Sequence, residues 1–244
     1  MVRVRLSWRE LVDRLPYGEP LLRRLSGHGP LVIGFLVLFA SLWALGKLIE
    51  DLVTGDPIIR ADRWLAARLH EGATTELTDV FRAVTFLGNA SVLFAVTASV
   101  VLLLAWRRAR SDLLLMVLAP VGAELLTIAM KAGFRRERPF FPDPLATEST
   151  FSFPSGHASV SLATYGAVAF ILARRLRSWP QRIACGAIAA GLVLLIAFSR
   201  LYLGVHYLSD VLAGLAAGLC WLLACVLTLA LREARSGPPA QTSR

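Results

Sequence analysis

Six apolar stretches, near Leu31–Ile49, Leu87–Trp106, Leu113–Met130, Ala158–Ala173, Ile183–Phe198 and Tyr207–Leu231, leave this chain few ways to fold. A helix needs about 20 apolar residues to cross a bilayer, with about 17–25 the usual range, and there it must satisfy its own backbone hydrogen bonds. The fourth and fifth stretches are slightly short, and the arginines flanking them can snorkel to the interface. The 244 residues are 56% hydrophobic, where a soluble domain has about 45–50%, and the 18% that are charged cluster between the apolar runs. These runs predict an all-α integral membrane bundle of six transmembrane helices. The length suits one bundle and argues against a second folded domain.

The remaining segments divide the chain into an arm at 1–30, the six-span body at 31–231 and a tail at 232–244. In the arm, Trp8, Leu11, Val12 and Leu15 share one helical face, with Arg9, Glu10, Asp13 and Arg14 around the rest. That pattern predicts an amphipathic helix lying on the membrane surface, stopped by Pro16. A second interfacial helix, on the opposite side, is expected where Ile58, Ala61, Leu65 and Leu69 recur beside Trp64. No cleavable signal is visible in the arm, so the first span is expected to serve as an uncleaved anchor.

Loop charge sets the expected orientation. The arm, the turn at Arg107, Arg108 and Arg110, the loop with Arg174, Arg175, Arg177 and Arg182, and the tail with Arg232 and Arg235 all share one side. The positive-inside rule makes that side cytoplasmic, with both termini, and puts the loops at 50–86, 131–157 and 199–206 outside. The same placement turns the net charge of +9 away from nucleic acid, because no basic stripe with interleaved aromatics stands on a soluble module. Cys185, Cys220 and Cys225 lie inside apolar runs and read as small packing residues, with no disulfide framework.

Three of the external segments carry charge and histidine at the ends of spans. An ionised side chain in hydrocarbon costs roughly 2.5–3.5 kcal/mol on insertion scales, so such residues usually have a function. Lys131 closes the third span and Arg138 follows across a turn before Pro139. A lysine at a helix end ordinarily snorkels, but arginine does the anchoring elsewhere in this chain, which favours a specific role. The planar guanidinium of Arg138 suits phosphate oxygens. Pro154-Ser155-Gly156-His157 opens the fourth span: Ser155 can cap the helix and donate a hydroxyl, and Gly156 lets a backbone N–H approach an anion at the helix N-terminus. In the third segment His206 and Asp210 stand at i and i+4, on one face if the sixth span begins near His206. Asp210 can then accept from Nδ1–H and leave Nε2 as a nucleophile, with Arg200 across the short loop as a third cation.

The strings KAGFRRERP, PSGH and SRLYLGVHYLSD resemble, in order and with the family's spacing, the three signature motifs of the type 2 phosphatidic acid phosphatase superfamily. The resemblance covers residues 131–210, and six spans match the superfamily's membrane branch. It implies that His206 attacks phosphorus to form a phosphohistidine, Asp210 orients it, and His157 protonates the leaving oxygen and then activates water. It implies that Lys131, Arg138, Arg200, Ser155 and the Gly156 backbone hold the phosphoryl oxygens. No metal or other cofactor is implied.

The expected substrate is a membrane lipid phosphate entering laterally from the bilayer. Undecaprenyl diphosphate is favoured because an external site suits recycling of a cell-wall carrier lipid in a bacterial cytoplasmic membrane. Phosphatidate or phosphatidylglycerophosphate is the alternative, as is phosphate transfer between lipids at the same site. An intact His157, His206 and Asp210 set argues against a non-enzymatic transporter or binding module. Glu124, two turns before Lys131, is expected either to pair with a basic or polar group in the bundle core or to be structural. Phe134, Phe140, Phe141, Phe151 and Phe153 are expected to pack the loop, and His28 and His70 to have no role.

Overall fold

Charged and capping residues at the ends of the apolar runs set the helix limits. The structure, a computed structural model, describes residues 18–55 and 57–235. They form eight helices: α1 (Gly18–Thr54), α2 (Pro57–Glu71), α3 (Thr75–Phe86), α4 (Ala90–Trp106), α5 (Arg110–Phe134), α6 (Gly156–Arg175), α7 (Trp179–Tyr202) and α8 (Leu208–Arg235). Among the described residues there is no strand, and six helical segments are long and apolar enough to cross a membrane: Leu31–Thr54, Thr75–Trp106, Arg110–Phe134, Gly156–Arg175, Trp179–Tyr202 and Leu208–Arg232. The all-α membrane bundle expected from the apolar runs is the fold observed.

The chain divides into two units, Met1–Val37 and Leu38–Arg244. Helix α1 starts at Gly18, inside the expected arm, so helix precedes the apolar run. The amphipathic helix expected over Trp8 to Leu15 lies outside the described residues.

Two departures from the expected map lie between the first and second spans. The segment at 50–86 is mostly helical, holding α2 and a further helix, α3, that the periodicity did not predict. Thr74 caps α3 by accepting from the Leu77 N–H. The chain then breaks at Leu87-Gly88-Asn89, where the Tyr165 hydroxyl donates to the freed Leu87 carbonyl at 2.7 Å, and α4 continues the apolar run. In α2 the inward stripe also differs: Ala61 is exposed, whereas Asp62 and Ala66 are buried. Hydrophobic periodicity could not count a carboxylate as an inward residue; Asp62 is buried because it has ionic and hydrogen-bonding partners across the bundle.

Within the second unit α6 is central, packing against α5, α7 and α8, with α2 on α8 and α3 on α7. Small residues make this possible. Lipid supplies no hydrophobic drive between helices, so close backbone approach and dispersion hold them together. Gly214 and Gly218, one turn apart on α8, meet the backbone of α6: a Cβ on either would lie 2.5 Å from the carbonyl oxygen of Ser155 or Ser159. Neither oxygen can swing away as a side chain would. Gly218→Ala is therefore expected to destabilise the protein by about 1–3 kcal/mol through overpacking, read as a lowered unfolding midpoint in detergent. An unchanged midpoint would show that α6 and α8 part there without cost.

Candidate active site

The turn after α5 begins the site. Arg135 adopts a left-handed conformation (φ 47°) and its N–H bonds the Lys131 carbonyl, ending the helix and reversing the chain. The following loop, residues 135–155, closes on itself where the Ser152 N–H donates to the Arg136 carbonyl at 2.8 Å. Arg138 braces this loop: Nε donates to the Thr150 carbonyl at 2.6 Å, Nη2 to the Thr150 hydroxyl at 3.1 Å, and Nη1 to the Val205 carbonyl at 2.6 Å. Lys131 Nζ donates to the same Thr150 hydroxyl at 2.8 Å. Burial works against the Arg138 charge and lowers its pKa, with Glu148 and Asp210 opposing that shift.

His206 stands on the corner between α7 and α8. Gly204, with φ of 68°, supplies the left-handed turn that the corner needs. Helix α8 starts at Leu208, so His206 and Asp210 do not share a helical face as their spacing suggested. They meet because Asp210, in the first turn, reaches back over the corner: its Oδ2 accepts from the Tyr207 N–H at 2.8 Å and lies 3.6 Å from His206 Nδ1. Ser152 bridges the two, its hydroxyl donating to Asp210 Oδ2 at 2.5 Å and lying 3.4 Å from Nδ1. On the other edge of the ring, Nε2 is 3.1 Å from Arg138 Nη1. A guanidinium only donates, so Nε2 accepts and Nδ1 carries the proton, on the side of Asp210. Burial pushes the His206 pKa down to about 4, against the pull of Asp210 and helped by Arg138 and Arg200, which leaves the ring neutral at pH 7.

The third segment starts α6. Ser155 occupies the N-cap position but makes no side-chain cap bond, contrary to the expected hydroxyl cap. Its N–H instead donates to the Asp210 carbonyl at 2.9 Å, and its buried hydroxyl finds no hydrogen-bond partner among the described residues. His157 Nε2 lies 2.9 Å from the Asn89 carboxamide oxygen, at the start of α4. Arg200 is buried near the end of α7, bonded to the Thr85 hydroxyl at 2.8 Å and paired with Glu148, while its Nε has no hydrogen-bond partner among the described residues.

A cavity of about 620 Å³ joins these groups. Lys131, Arg138, Gly156, His157 and His206 line its polar end, and Leu93, Phe94, Val121, Leu125 and Ile128 of α4 and α5 line the rest. Of the expected set, Ser155, Arg200 and Asp210 lie behind that lining, all buried. Glu124, expected either to pair in the bundle core or to be structural, lines the cavity. Three of the five phenylalanines pack as expected, Phe134 against Phe153 and Phe141 against His70, whereas Phe140 and Phe151 are exposed. His70, expected to have no role, also ties α2 to the loop through Asp143 at 3.0 Å, and this hydrogen bond lowers the Asp143 pKa.

Six partners went unnamed in the sequence: Asp62, Asn89, Arg136, Glu148, Thr150 and Ser152. Arg136 lies inside the KAGFRRERP string and Ser152 just before PSGH, so both were within reach of a reading that asked which motif charges need counter-charges. Arg136 pairs with Asp62 at 2.8 Å and Asp210 at 2.5 Å, and though burial works against its charge the two carboxylates raise its pKa. Asp62 and Asn89 are remote in sequence from every motif and carry no local signal.

The model of the PAP2 superfamily matches residues 112–233. Phosphatidylglycerophosphatase B of Bacillus subtilis is 36% identical over 144 residues, covering 59% of this chain and 70% of that one. Undecaprenyl-diphosphatase of Sulfolobus acidocaldarius is 34% identical over 157 residues, covering 62% of this chain and 68% of its own. Among solved structures, a transmembrane PAP2-type phosphatidylglycerolphosphate phosphatase from Bacillus subtilis superposes with a TM-score of 0.68 at 27% identity, over 86% of this chain and 98% of that one.

Proposed function

The chain belongs to the PAP2 superfamily and is a multi-pass membrane lipid phosphatase, and from that premise we propose that it removes a terminal lipid phosphate through a phosphohistidine on His206. The observation that carries this reading is the placement of His206 Nε2: an accepting nitrogen at the polar end of a cavity whose other walls are apolar. In the first step the Nε2 lone pair attacks phosphorus, the bond to the lipid oxygen breaks, and His157 gives that oxygen its proton. In the second, His157 takes a proton from water as the water attacks the phosphohistidine, releasing phosphate and restoring His206. Asp210 supports the positive charge that develops on the ring. Lys131, Arg138, Arg200, the Ser155 hydroxyl and the Gly156 N–H hold the phosphoryl oxygens and stabilise the transition state. Arg200 would exchange Glu148 for substrate oxygens. Three cations meet the phosphate charge, so turnover is expected to persist in chelator.

Undecaprenyl diphosphate is the proposed substrate, with phosphatidylglycerophosphate the nearest alternative. Each leaves a second phosphate on the lipid after losing the first, and the names of the two relatives divide between them. The site is proposed to face outward from a bacterial cytoplasmic membrane, with both termini inside. The six-span body at 31–231 is proposed to act as a single catalytic domain. Phosphate release by purified protein from undecaprenyl diphosphate, phosphatidylglycerophosphate and phosphatidate, in chelator, tests the reaction and ranks the lipids. No release from any of them rejects it, and phosphorylated lipid without free phosphate identifies transfer.

The neutral nucleophile sets a pH dependence. With a folded pKa of about 4, His206 is available across the neutral range, and the acid limb of kcat/KM is expected as pH drops through about 4. An unfolded chain protonates a histidine near about 6.5, so it binds the extra proton between those values. Stability from this residue is therefore complete above about 6.5 and is lost as pH falls toward 4. An acid limb near 6.5 in the kcat/KM profile would contradict a buried, neutral His206.

A further inference from the structure

Asp62 has no part in the phosphate chemistry described so far and lies outside the 112–233 match to the superfamily. It is wholly buried in α2, a helix read from the sequence as interfacial. Its Oδ1 accepts from the Ser209 N–H at 2.9 Å, and its Oδ2 from the Ser209 hydroxyl at 2.5 Å and Arg136 Nη2 at 2.8 Å. Arg136 turns its other nitrogen, Nη1, to Asp210 Oδ1 at 2.5 Å and to the Ser209 hydroxyl at 2.7 Å, and lays its guanidinium over the Tyr207 ring at 4.4 Å. Asp210 Oδ2 then faces Ser152, the Tyr207 N–H and His206 Nδ1. A continuous chain of charge runs from α2 to the nucleophile.

Formal charge explains what the first link contributes. Asp210 beside Arg136 alone forms a neutral pair, and a neutral pair is a weak support for positive charge on an imidazole. Asp62 makes the cluster two carboxylates to one guanidinium, with one net negative charge behind His206. The cations on the opposite side, Arg138 and Arg200, oppose any positive charge on the ring. We infer that Asp62 is a positioning residue for the phosphatase reaction, acting through Arg136 to hold Asp210 in place and ionised behind His206. This rests on the reading of His206 and Asp210 as the reacting pair. A helix outside the family's motifs thereby takes part in setting the nucleophile.

Asp62→Asn removes the charge and keeps one oxygen to accept from the Ser209 hydroxyl and Arg136, while its NH2 then faces the Ser209 N–H. The inference expects kcat on the preferred lipid phosphate to fall about 10–100-fold, the size seen when outer partners of a reactive group are removed, with KM changed less than about threefold. The acid limb of the kcat/KM profile should move to lower pH, because losing a negative charge makes the ring harder to protonate. In an Asp210→Asn background the same substitution should cost kcat markedly less than in the wild type, since the residue it positions is already silent. Wild-type kcat and an unmoved acid limb in folded Asp62→Asn overturn the inference, as does a full loss in the Asp210→Asn background. If Asp62→Asn does not fold, Asp62→Glu keeps the charge and should keep the acid limb in place; a shifted limb there also overturns it. His206→Ala assayed alongside separates the two failures: an inactive His206→Ala with a fully active Asp62→Asn removes only this inference, whereas an active His206→Ala removes the proposed mechanism.

Discussion

His206→Ala is expected to lower phosphate release by at least about 10,000-fold, in a protein that still folds, the scale seen when an enzyme loses its nucleophile. Alanine removes the atom proposed to bond to phosphorus, and the nearby Ser152 hydroxyl is already engaged in donating to Asp210. The loss should fall on kcat, because Lys131, Arg138 and Gly156, the proposed phosphate-holding groups, still line the site. The measurement is phosphate release beside a binding assay with a labelled lipid phosphate. Acid-labile, base-stable labelling of the wild type, absent from the variant, would identify the phosphoramidate bond. A variant within about tenfold of wild type would place the nucleophile elsewhere.

Asp210→Asn is expected to lower kcat by about 1,000–10,000-fold, in the manner of other carboxylates that orient a catalytic histidine. Both carboxylate oxygens accept here, Oδ1 from Arg136 and Oδ2 from Ser152 and the Tyr207 N–H. A carboxamide has one accepting end, so in either orientation its NH2 faces a donor. The variant therefore loses stability as well as rate, and it leaves Arg136 with Asp62 as its remaining carboxylate partner. Thermal unfolding and single-turnover kinetics on the same preparation separate the two losses. Slow phosphoenzyme formation with unchanged lipid affinity is the expected pattern, and a change confined to affinity would contradict it.

The two substitutions differ in how far the sequence foretold their setting. Apolar run length and arginine placement were enough for the spans, because backbone satisfaction in lipid leaves a helix as the only solution for each. The motif residues were legible because a charge at the end of such a run is costly without a purpose. Lys131, Arg138, His157 and His206 do line one cavity. Periodicity failed where burial is ionic: it centred the α2 stripe beside Asp62 because a carboxylate scores as outward. The i, i+4 spacing of His206 and Asp210 led to their contact by the wrong route, since a corner rather than a helix face joins them. Asn89 beside His157 and Glu148 on Arg200 are contacts between distant segments, which one-dimensional patterns do not carry.

The close seating of Gly214 and Gly218 against α6 has a consequence for how the protein comes into being. Of the described spans α8 is made last, and it brings Ser209 to Asp62 on α2 and Asp210 to the loop after α5 and the start of α6. Synthesis runs from the N-terminus, so every earlier span can be inserted while the reactive corner is still missing. A chain stopped before α8 would carry its cations and His206 but not Asp210, the carboxylate proposed to orient the ring. Activity is therefore expected only once α8 docks and seats Asp210 behind His206, so that a half-built protein does not act on the membrane around it.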